Sequence, residues 1–187
     1  MKTALVIIDM QKAYFHNEAL ESKRRELIGA CNELIEQAKL QNIPVFHAIT
    51  KHKKDRTTWT LNMLDDGEGY LFEGDADSQI VEGLQTNEVI EIVKTRDSAF
   101  FGTTLFDELS RRGVQEIILA GVSTHTCVFQ TAADAYANNL RVVLAGQAIA
   151  SHDPKRHQSA LELLKQEYRQ QTYDQNLILK TMFQEKI

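Results

Sequence analysis

Three side chains with complementary chemistry each follow an apolar run of the sequence. Asp9 ends "TALVIID", Lys94 ends "EVIEIVK", and Cys127 lies in "STHTC", directly after "EIILAGV". A cysteine thiolate is a strong nucleophile, a nearby ammonium favours the thiolate, and a carboxylate can accept a proton and return it. Each residue alone has an ordinary structural explanation, because a free cysteine is usually buried as a small hydrophobe. Together the three types fit one mechanism, nucleophilic catalysis by cysteine.

The elements that must position these residues alternate between strand-like and helix-like patterns. The predicted strands cover residues 3–9, 43–49, 88–94, 116–122 and 141–146, with a short strand near 171–174. The predicted helices cover residues 21–40, 103–113, 124–139 and 153–170, and a terminal helix completes the chain. Asp153 is the expected N-cap of the fourth helix, with Pro154 at its first position. This alternation predicts a three-layer, Rossmann-like α/β fold with a parallel sheet of about six strands and helices on both faces.

The carboxyl ends of parallel strands meet at one edge of a sheet, which is where ligands bind in open α/β folds. We therefore expect Asp9, Lys94 and Cys127 to converge there. We also expect the strand of Asp9 to neighbour that of Lys94, and that strand to neighbour the one leading to Cys127. Residues 50–83 are rich in charge, glycine and aromatics, and such long irregular segments are usually functional loops. Residues 1–187 are predicted to form one domain.

The composition excludes several classes of protein. A net charge of −5 and a pI near 5.7 argue against a nucleic-acid binder or a basic membrane-surface protein. No apolar run approaches the roughly 20 residues that span a bilayer, and "MKTALVIIDM" lacks the features of a signal peptide. The two cysteines are far apart and form no disulfide or zinc pattern. A cytoplasmic location is the expectation.

Three segments together resemble a known family. The sequences "IIDMQKAYF", "KTRDSAFFGTTL" and "AGVSTHTCVFQTAADAYANNLRVVL" are similar to the isochorismatase-like cysteine hydrolases, and the resemblance runs from Leu5 to about Leu164. That group includes nicotinamidases, N-carbamoylsarcosine amidases and ureido hydrolases. The resemblance implies a catalytic triad of Asp9, Lys94 and Cys127. It also implies a cis peptide before Ser123, so that the N–H groups of Ser123 and Cys127 form an oxyanion hole. No cofactor is predicted for this chain, and proteins of the family commonly form homo-oligomers.

The same resemblance suggests further pocket residues. Gln11 would orient the active-site loop and belongs to the predicted substrate-binding set. Tyr14 would form one wall of the pocket, with Trp59 as the opposite wall or a lid, and Phe100 would shape the floor. His125 either tunes the thiol, contacts substrate or is an ordinary histidine at the start of a helix. Packing alone is the alternative explanation for Tyr14 and Trp59.

Two departures from the family pattern bear on function. Nicotinamidases carry a D-x-H…H metal site after the second strand, whereas "ITKHKKDRTTW" offers only His52. One histidine in a lysine-rich loop is expected to be solvated, so no metal is predicted. The family usually has an Asp-Ala after the "RVVL" strand, where this chain has Gln147. That position is generally structural, so the change is expected to spare catalysis. Cys31 is expected to be a core residue.

The prediction is a hydrolase that cleaves a C–N bond of a small amide or ureido substrate through a thioester. One alternative is an isochorismatase-type hydrolase of vinyl ethers, although a substrate without a carbonyl has less use for a thiolate. Another is a non-catalytic thiol sensor on the same fold. A nucleotide-binding oxidoreductase is disfavoured, because no G-x-G-x-x-G follows the first strand. The identity of the substrate depends on residues 50–83, and the sequence leaves it open.

Overall fold

A parallel sheet of six strands forms the centre of the structure, a computed structural model that describes residues 1–181. The strands are β1 (Thr3–Ile8), β2 (Val45–Thr50), β3 (Ile90–Lys94), β4 (Glu116–Val122), β5 (Arg141–Ala150) and β6 (Gln171–Tyr173). Every neighbouring pair is parallel, and the spatial order is β3-β2-β1-β4-β5-β6. The predicted fold class is confirmed.

The order of the strands reverses between β1 and β4, where the chain crosses from one half of the sheet to the other. Such a reversal opens a crevice at the carboxyl ends of the two strands, which is the usual ligand site of doubly wound folds. Asp9 follows β1 and Cys127 follows β4, so both residues lie at this crevice. The predicted adjacency of strands is wrong, because β2 separates β1 from β3. Lys94 has a side chain long enough to reach across the intervening strand.

Helices cover both faces of the sheet. They are α1 (Glu18–Glu21), α2 (Arg24–Leu40), α3 (Leu61–Asp66), α4 (Leu105–Arg111), α5 (Phe129–Ala137), α6 (Pro154–Tyr168) and α7 (Gln175–Thr181). Residues of α2 and α7 pack with one apolar cluster, and residues of α4, α5 and α6 pack with the other. Asp153 caps α6 as predicted, since its Oδ1 accepts hydrogen bonds from the backbone N–H groups of Lys155 and Arg156.

The alternation of side chains along β1 divides the core between the two faces. Leu5 and Ile7 belong to the cluster that contains α2, whereas Val6 and Ile8 belong to the cluster on the opposite face. This is the two-residue period of a strand buried on both sides. The predicted apolar stripe of α2 is confirmed by its buried residues, which are Leu27, Cys31, Leu34, Ile35 and Ala38.

Three local features differ from the sequence-based expectation. Residues 50–83 are irregular as predicted, but they contain the short helix α3, which begins after the Thr60 cap and ends at Gly67 with φ of 71°. The strand β5 continues to Ala150, with a shift of register against β4. The helix after β4 begins with a π-helical turn over Thr124–Val128. Within residues 1–181, no helix has both the length and the apolar character needed to cross a membrane.

Candidate active site

A buried ion pair joins the ends of β1 and β3. Lys94 Nζ lies 2.8 Å from Asp9 Oδ2, and both side chains are fully inaccessible to solvent. The hydroxyl of Thr50, at the end of β2, connects the two. It donates to Asp9 Oδ1 over 2.9 Å and accepts from Lys94 Nζ over 2.8 Å. Thr50 thereby replaces the direct strand-to-strand contact that the sequence had suggested.

The backbone at the end of β1 turns sharply to present Asp9. Its φ is 48°, in the left-handed region that Asn and Asp tolerate better than most residues. The Asp9 N–H donates to the carbonyl of Ala48 on β2 over 2.8 Å. On the other side, β4 approaches so closely that a Cβ on Gly121 would lie 2.0 Å from the carbonyl oxygen of Ile8. Glycine at position 121 therefore lets β1 and β4 meet just below the site.

Cys127 lies in the π-helical turn directly after β4 and is only 4% exposed. Lys94 Nζ is 3.5 Å from its sulfur, so one ammonium contacts both Asp9 and Cys127. The peptide bond between Val122 and Ser123 is cis, as the family resemblance predicts. The Ser123 carbonyl accepts hydrogen bonds from the N–H groups of Thr126 and Val128, which fixes the start of the turn.

The electrostatics of the thiol differ from the sequence-based expectation. Burial raises the pKa of Cys127 well above its usual value, and the negative charge of Asp9 raises it further, while Lys94 acts in the opposite direction. The expectation that a nearby ammonium favours the thiolate is wrong for the resting site. Burial and the neighbouring carboxylate outweigh the single positive charge. The free thiol is therefore protonated at neutral pH.

The charge state of Lys94 follows from the same geometry. Burial alone would lower the pKa of Lys94, but the negative charge of Asp9, joined by that of Cys127 when the thiol ionises, overcomes that effect, and the pKa is raised. Lys94 is therefore a permanent cation in the site. A buried charge of this kind is stable only when it is paired and hydrogen-bonded. Asp9, Thr50 and the carbonyl of Arg96, which accepts from Lys94 Nζ over 3.1 Å, supply the partners.

Two of the predicted pocket residues follow Asp9 in the chain. The amide of Gln11 is fully buried, donates to the carbonyls of Thr50 and Ser78, and accepts from the Thr50 N–H, all over 2.8 Å. These bonds occupy the amide with backbone, so the geometry gives Gln11 a positioning role. Tyr14 packs against the apolar cluster that contains the buried residues of α2, and burial and the negative charge of Asp9 raise its pKa.

Trp59 and Phe100, the other two aromatic residues of the predicted pocket, both pack with apolar side chains. Trp59 is 7% exposed, packs on Phe72 with ring centroids 5.9 Å apart, and donates from Nε1 to the carbonyl of Lys53. These contacts all lie within the 50–83 segment. Phe100 is partly buried and packs against the apolar cluster that contains Cys127. The role of Phe100 as the floor of the pocket stays a prediction.

The remaining polar residues named from the sequence have structural partners. His125 Nδ1 lies 2.7 Å from Ser151 Oγ, and burial lowers its pKa. His52 was expected to be solvated, but it is only 1% exposed and its Nδ1 lies 2.9 Å from the carbonyl of Thr58. The fold closes the lysine-rich loop over this histidine. Gln147 Oε1 accepts from the Gln175 N–H over 2.7 Å and so ties β5 to the start of α7.

Three residues of the site escaped the sequence reasoning. Thr50 ends β2, so the search of strand ends that found Asp9 and Lys94 would also have found it. Asp97 follows Lys94 by three positions, and its Oδ1 is 3.8 Å from Cys127 Sγ. Tyr70 comes from the irregular segment, where no sequence pattern placed it. Partial burial raises the pKa of Tyr70, and the charges of Cys127 and Asp97 add to the effect.

The arrangement supports nucleophilic chemistry on a small molecule at the β1/β4 crevice. It unites a thiol, a carboxylate and an ammonium in a site shielded from water, where charges act more strongly. Within the described residues 1–181, no group of three or more His, Cys, Asp or Glu side chains is arranged to hold a metal ion.

Comparisons with known proteins agree with this description. A family model described as the isochorismatase domain matches residues 3–173. The uncharacterized isochorismatase family protein PncA of Bacillus subtilis (strain 168) is 34% identical over 179 residues, which cover 86% of this chain and 93% of that protein. A probable inactive nicotinamidase of Arabidopsis thaliana is 31% identical over 164 residues, covering 83% of this chain and 84% of that protein. The crystal structure of nicotinamidase/pyrazinamidase PncA from Bacillus subtilis superposes with a TM-score of 0.80 at 29% identity, covering 92% and 99% of the two chains.

Proposed function

Because the chain belongs to the isochorismatase family of hydrolases, we propose that it hydrolyses a C–N bond of a small amide or ureido compound with Cys127 as the nucleophile. The observation that carries this proposal is the position of Lys94 Nζ, 2.8 Å from Asp9 Oδ2 and 3.5 Å from Cys127 Sγ. One cation serves a nucleophile and a proton acceptor at the same time. That is the minimum arrangement for acid–base-assisted attack by a thiol.

Acylation begins when Cys127 Sγ attacks the substrate carbonyl carbon. The thiol proton passes to Asp9 as the S–C bond forms, because the resting sulfur is protonated and Lys94 Nζ, 3.5 Å from that sulfur, also lies 2.8 Å from Asp9 Oδ2. The carbonyl oxygen becomes an oxyanion, and the backbone N–H groups of Ser123 and Cys127 are the proposed donors to it. Asp9 then returns the proton to the leaving nitrogen as the C–N bond breaks. The products of this half-reaction are an amine or ammonia and a thioester.

Deacylation uses the same groups in reverse. Asp9 accepts a proton from a water molecule, whose oxygen attacks the thioester carbonyl and forms a second tetrahedral intermediate. The C–S bond then breaks, and Asp9 returns the proton to the departing sulfur. Lys94 faces the negative charge wherever it resides, on Asp9 or on Cys127. The chain's own residues therefore complete the cycle and release a carboxylic acid.

Two other functions compete with this proposal. Hydrolysis of a vinyl ether would also suit the fold, but it has no carbonyl for a thiol to attack, so the position of Cys127 favours the amide. A non-catalytic thiol protein is the other alternative, and the Arabidopsis thaliana relative is itself named as a probable inactive nicotinamidase. The contacts of Lys94 with both Asp9 and Cys127 argue against it, since a sensor thiol does not need a shared proton acceptor.

The test is ammonia release from a panel of primary amides and ureido compounds. The matched variants are Cys127→Ala and Cys31→Ala, because the second removes the chain's other buried free cysteine from a place remote from chemistry. We expect wild type and Cys31→Ala to release ammonia from the same substrate, and Cys127→Ala to be slower by roughly 10⁴-fold or more. Mass spectrometry of the quenched reaction should find the acyl group on the peptide that contains Cys127. Turnover by Cys127→Ala at the wild-type rate would overturn the proposal.

A further inference from the structure

A second carboxylate lies beside the nucleophile, and the proposed chemistry does not use it. Asp97 Oδ1 is 3.8 Å from Cys127 Sγ, and the side chain of Asp97 is partly exposed, unlike that of Asp9. The other oxygen, Oδ2, accepts a hydrogen bond from Gln130 Nε2 on α5 over 2.8 Å. One oxygen is thus anchored to the helix, while the other faces the sulfur.

The segment that carries Asp97 is fixed to the same helix at a second point. The Ala99 N–H donates to Thr131 Oγ1 over 3.0 Å, and Thr131 is fully buried on α5. Since α5 continues directly from the turn that holds Cys127, the carboxylate and the sulfur are held by one rigid element. The distance between them is therefore a property of the fold.

Asp97 and Asp9 differ in whether a cation compensates their negative charge. Asp9 is paired with Lys94, whereas the hydrogen-bond partners of Asp97 within residues 1–181 are an amide and a thiol, both uncharged. Arg96 is the adjacent cation, and its Nη1 donates to the backbone carbonyls of Thr58 and Thr95. When the thiol is protonated, the side chains that contact Cys127 Sγ include one carboxylate without a cationic hydrogen-bond partner among residues 1–181, which is Asp97.

The residues that line the open space next to Asp97 also carry a net negative charge. A cavity of about 590 Å³ is lined by Asp97 and Tyr70, and three carboxylates, those of Asp66, Glu68 and Asp97, face one guanidinium, that of Arg96. Cys127 does not line this cavity, and Asp97 is the lining residue that contacts its sulfur. A ligand in this space meets a net negative potential. Such a potential attracts cations and repels carboxylates.

We propose that Asp97 determines substrate specificity by accepting a hydrogen bond from a cationic or N–H-donating group beside the scissile carbonyl, and by excluding substrates that carry a carboxylate there. The inference rests on the proposed function, in which the carbonyl carbon must come into bonding distance of Cys127 Sγ. A group two or three bonds from that carbon can then come within hydrogen-bonding reach of Asp97 Oδ1, 3.8 Å from the sulfur. A carboxylate in the same place would meet a like charge.

The test compares how fast differently charged thiol reagents modify Cys127, which reports the electrostatic potential at the sulfur and does not require turnover. The probes are three methanethiosulfonates, which carry a trimethylammonium-ethyl, a sulfonatoethyl or a methyl group. Each transfers its thio group to Cys127 as a mixed disulfide and releases methanesulfinate, and mass spectrometry follows the modified peptide. Rates for the charged probes are divided by the rate for the neutral methyl probe, which cancels any change in the proton affinity of the thiol.

The variants are Asp97→Asn and the matched control Asp107→Asn. Asparagine keeps an oxygen that can accept from Gln130 Nε2 but removes the charge, and Asp107 is an exposed carboxylate on α4 that does not line the cavity. We expect wild type to prefer the cationic probe over the anionic one. Asp97→Asn should reduce that preference at least roughly fivefold, the effect of one unit charge at about 4 Å in water, and Asp107→Asn should leave it nearly unchanged. An unchanged preference in Asp97→Asn, or an equal change in both variants, would overturn the inference.

A charge series of amides separates this inference from the proposed function. The substrates are 3-aminopropanamide, butanamide and succinamate, which are similar in size and carry a positive, a zero and a negative charge. We expect Asp97→Asn to lower kcat/KM for the cationic amide by roughly 10- to 100-fold, as for a lost hydrogen bond to a charged group, and to raise it for succinamate. If no amide or ureido compound is hydrolysed while the probe preference still falls in Asp97→Asn, the proposed function fails and the charge assignment stands. If amides are hydrolysed but neither preference depends on Asp97, only the inference fails.

Discussion

Replacing Asp9 with asparagine separates the reactivity of the thiol from the turnover of the enzyme. Asn is the substitution that disturbs the structure least, because it tolerates the positive φ at this position and keeps an oxygen for the Thr50 hydroxyl. The negative charge of Asp9 is one cause of the raised pKa of Cys127, whereas Lys94 lowers that pKa. In Asp9→Asn the ammonium of Lys94 remains beside the sulfur, and the more exposed Asp97 is the one carboxylate left among the charges that act on it. We therefore expect a more reactive thiol in an enzyme that no longer turns over.

The size of the effect follows from the distances. Lys94 Nζ lies 2.8 Å from Asp9 Oδ2 and 3.5 Å from Cys127 Sγ. The carboxylate is thus within about 6 Å of the sulfur, where a unit charge contributes about 0.7 kcal/mol in water and about 3 kcal/mol at an effective dielectric constant of 20. Loss of that charge should lower the pKa of Cys127. A more acidic thiol is also a weaker nucleophile, so the net gain in alkylation rate at pH 8 is roughly 2- to 10-fold.

The assay is the rate of Cys127 alkylation by iodoacetamide between pH 7 and 10, followed on the modified peptide. The control variant is Asp107→Asn, which removes an exposed carboxylate from α4 and should alkylate like wild type. Turnover of Asp9→Asn should fall by about 10²- to 10⁴-fold, since the variant has lost its proton acceptor. A folded Asp9→Asn protein that alkylates no faster than wild type at pH 8 would show that the carboxylate does not act on the sulfur as described.

The other predictions concern the supports of the site and the core. Thr50→Val should lower kcat about tenfold with little change in KM, because the Thr50 hydroxyl bridges the buried ion pair. Thr50→Ser keeps a hydroxyl and should retain most of the wild-type rate. Full activity in the valine variant would contradict this role. Gly121→Ala should lower the free energy of unfolding, measured in urea, by more than Gly102→Ala does. Both glycines have a positive φ, but a Cβ at position 121 would clash with Ile8, whereas position 102 has open space around it. Equal losses of about 1–3 kcal/mol in the two variants would point to φ strain alone. Burial lowers the pKa of His47 to about 4 in the folded protein. As the pH falls below about 6.5, His47 therefore becomes protonated in the unfolded chain while it stays neutral in the folded protein. Stability should therefore decline by up to about 3 kcal/mol by pH 4, and urea titrations of His47→Leu should show a shallower decline than wild type.

The fold and the three reacting groups could be predicted because strong local patterns encode them. A run such as "TALVII" is apolar at every position except the first, which only a strand buried on both faces requires, and the acidic residue that ends it must lie at the carboxyl edge. The apolar spacing of α2 specified its buried face residue by residue. The Cys127 segment was found because a strand pattern changes to a helix pattern within a few residues.

The parts that sequence reasoning missed depend on contacts between distant segments. The order of strands is set by how the crossovers pack, so β2 came between β1 and β3 without any local sign. Thr50 Oγ1 and Asp97 Oδ1 acquire their roles only through atoms 41 and 30 positions away in the chain. The pKa of Cys127 was misjudged for the same reason, because the sequence displays the charge of Lys94 but not the burial that opposes it.

A raised thiol pKa is consistent with the proposed mechanism once two kinds of proton loss are distinguished. If Cys127 lost its proton to solvent, the buried cluster of Asp9, Lys94 and Cys127 would change from neutral to negative, and burial disfavours such a change. If the proton instead moved from Cys127 to Asp9, the cluster would remain neutral, and Lys94 would exchange one anionic partner for another. Its contacts of 2.8 Å with the carboxylate and 3.5 Å with the sulfur suit that exchange. The same burial that keeps the resting thiol protonated therefore leaves the internal transfer nearly free of electrostatic penalty, so the thiolate is expected only when a substrate is present to accept the new bond.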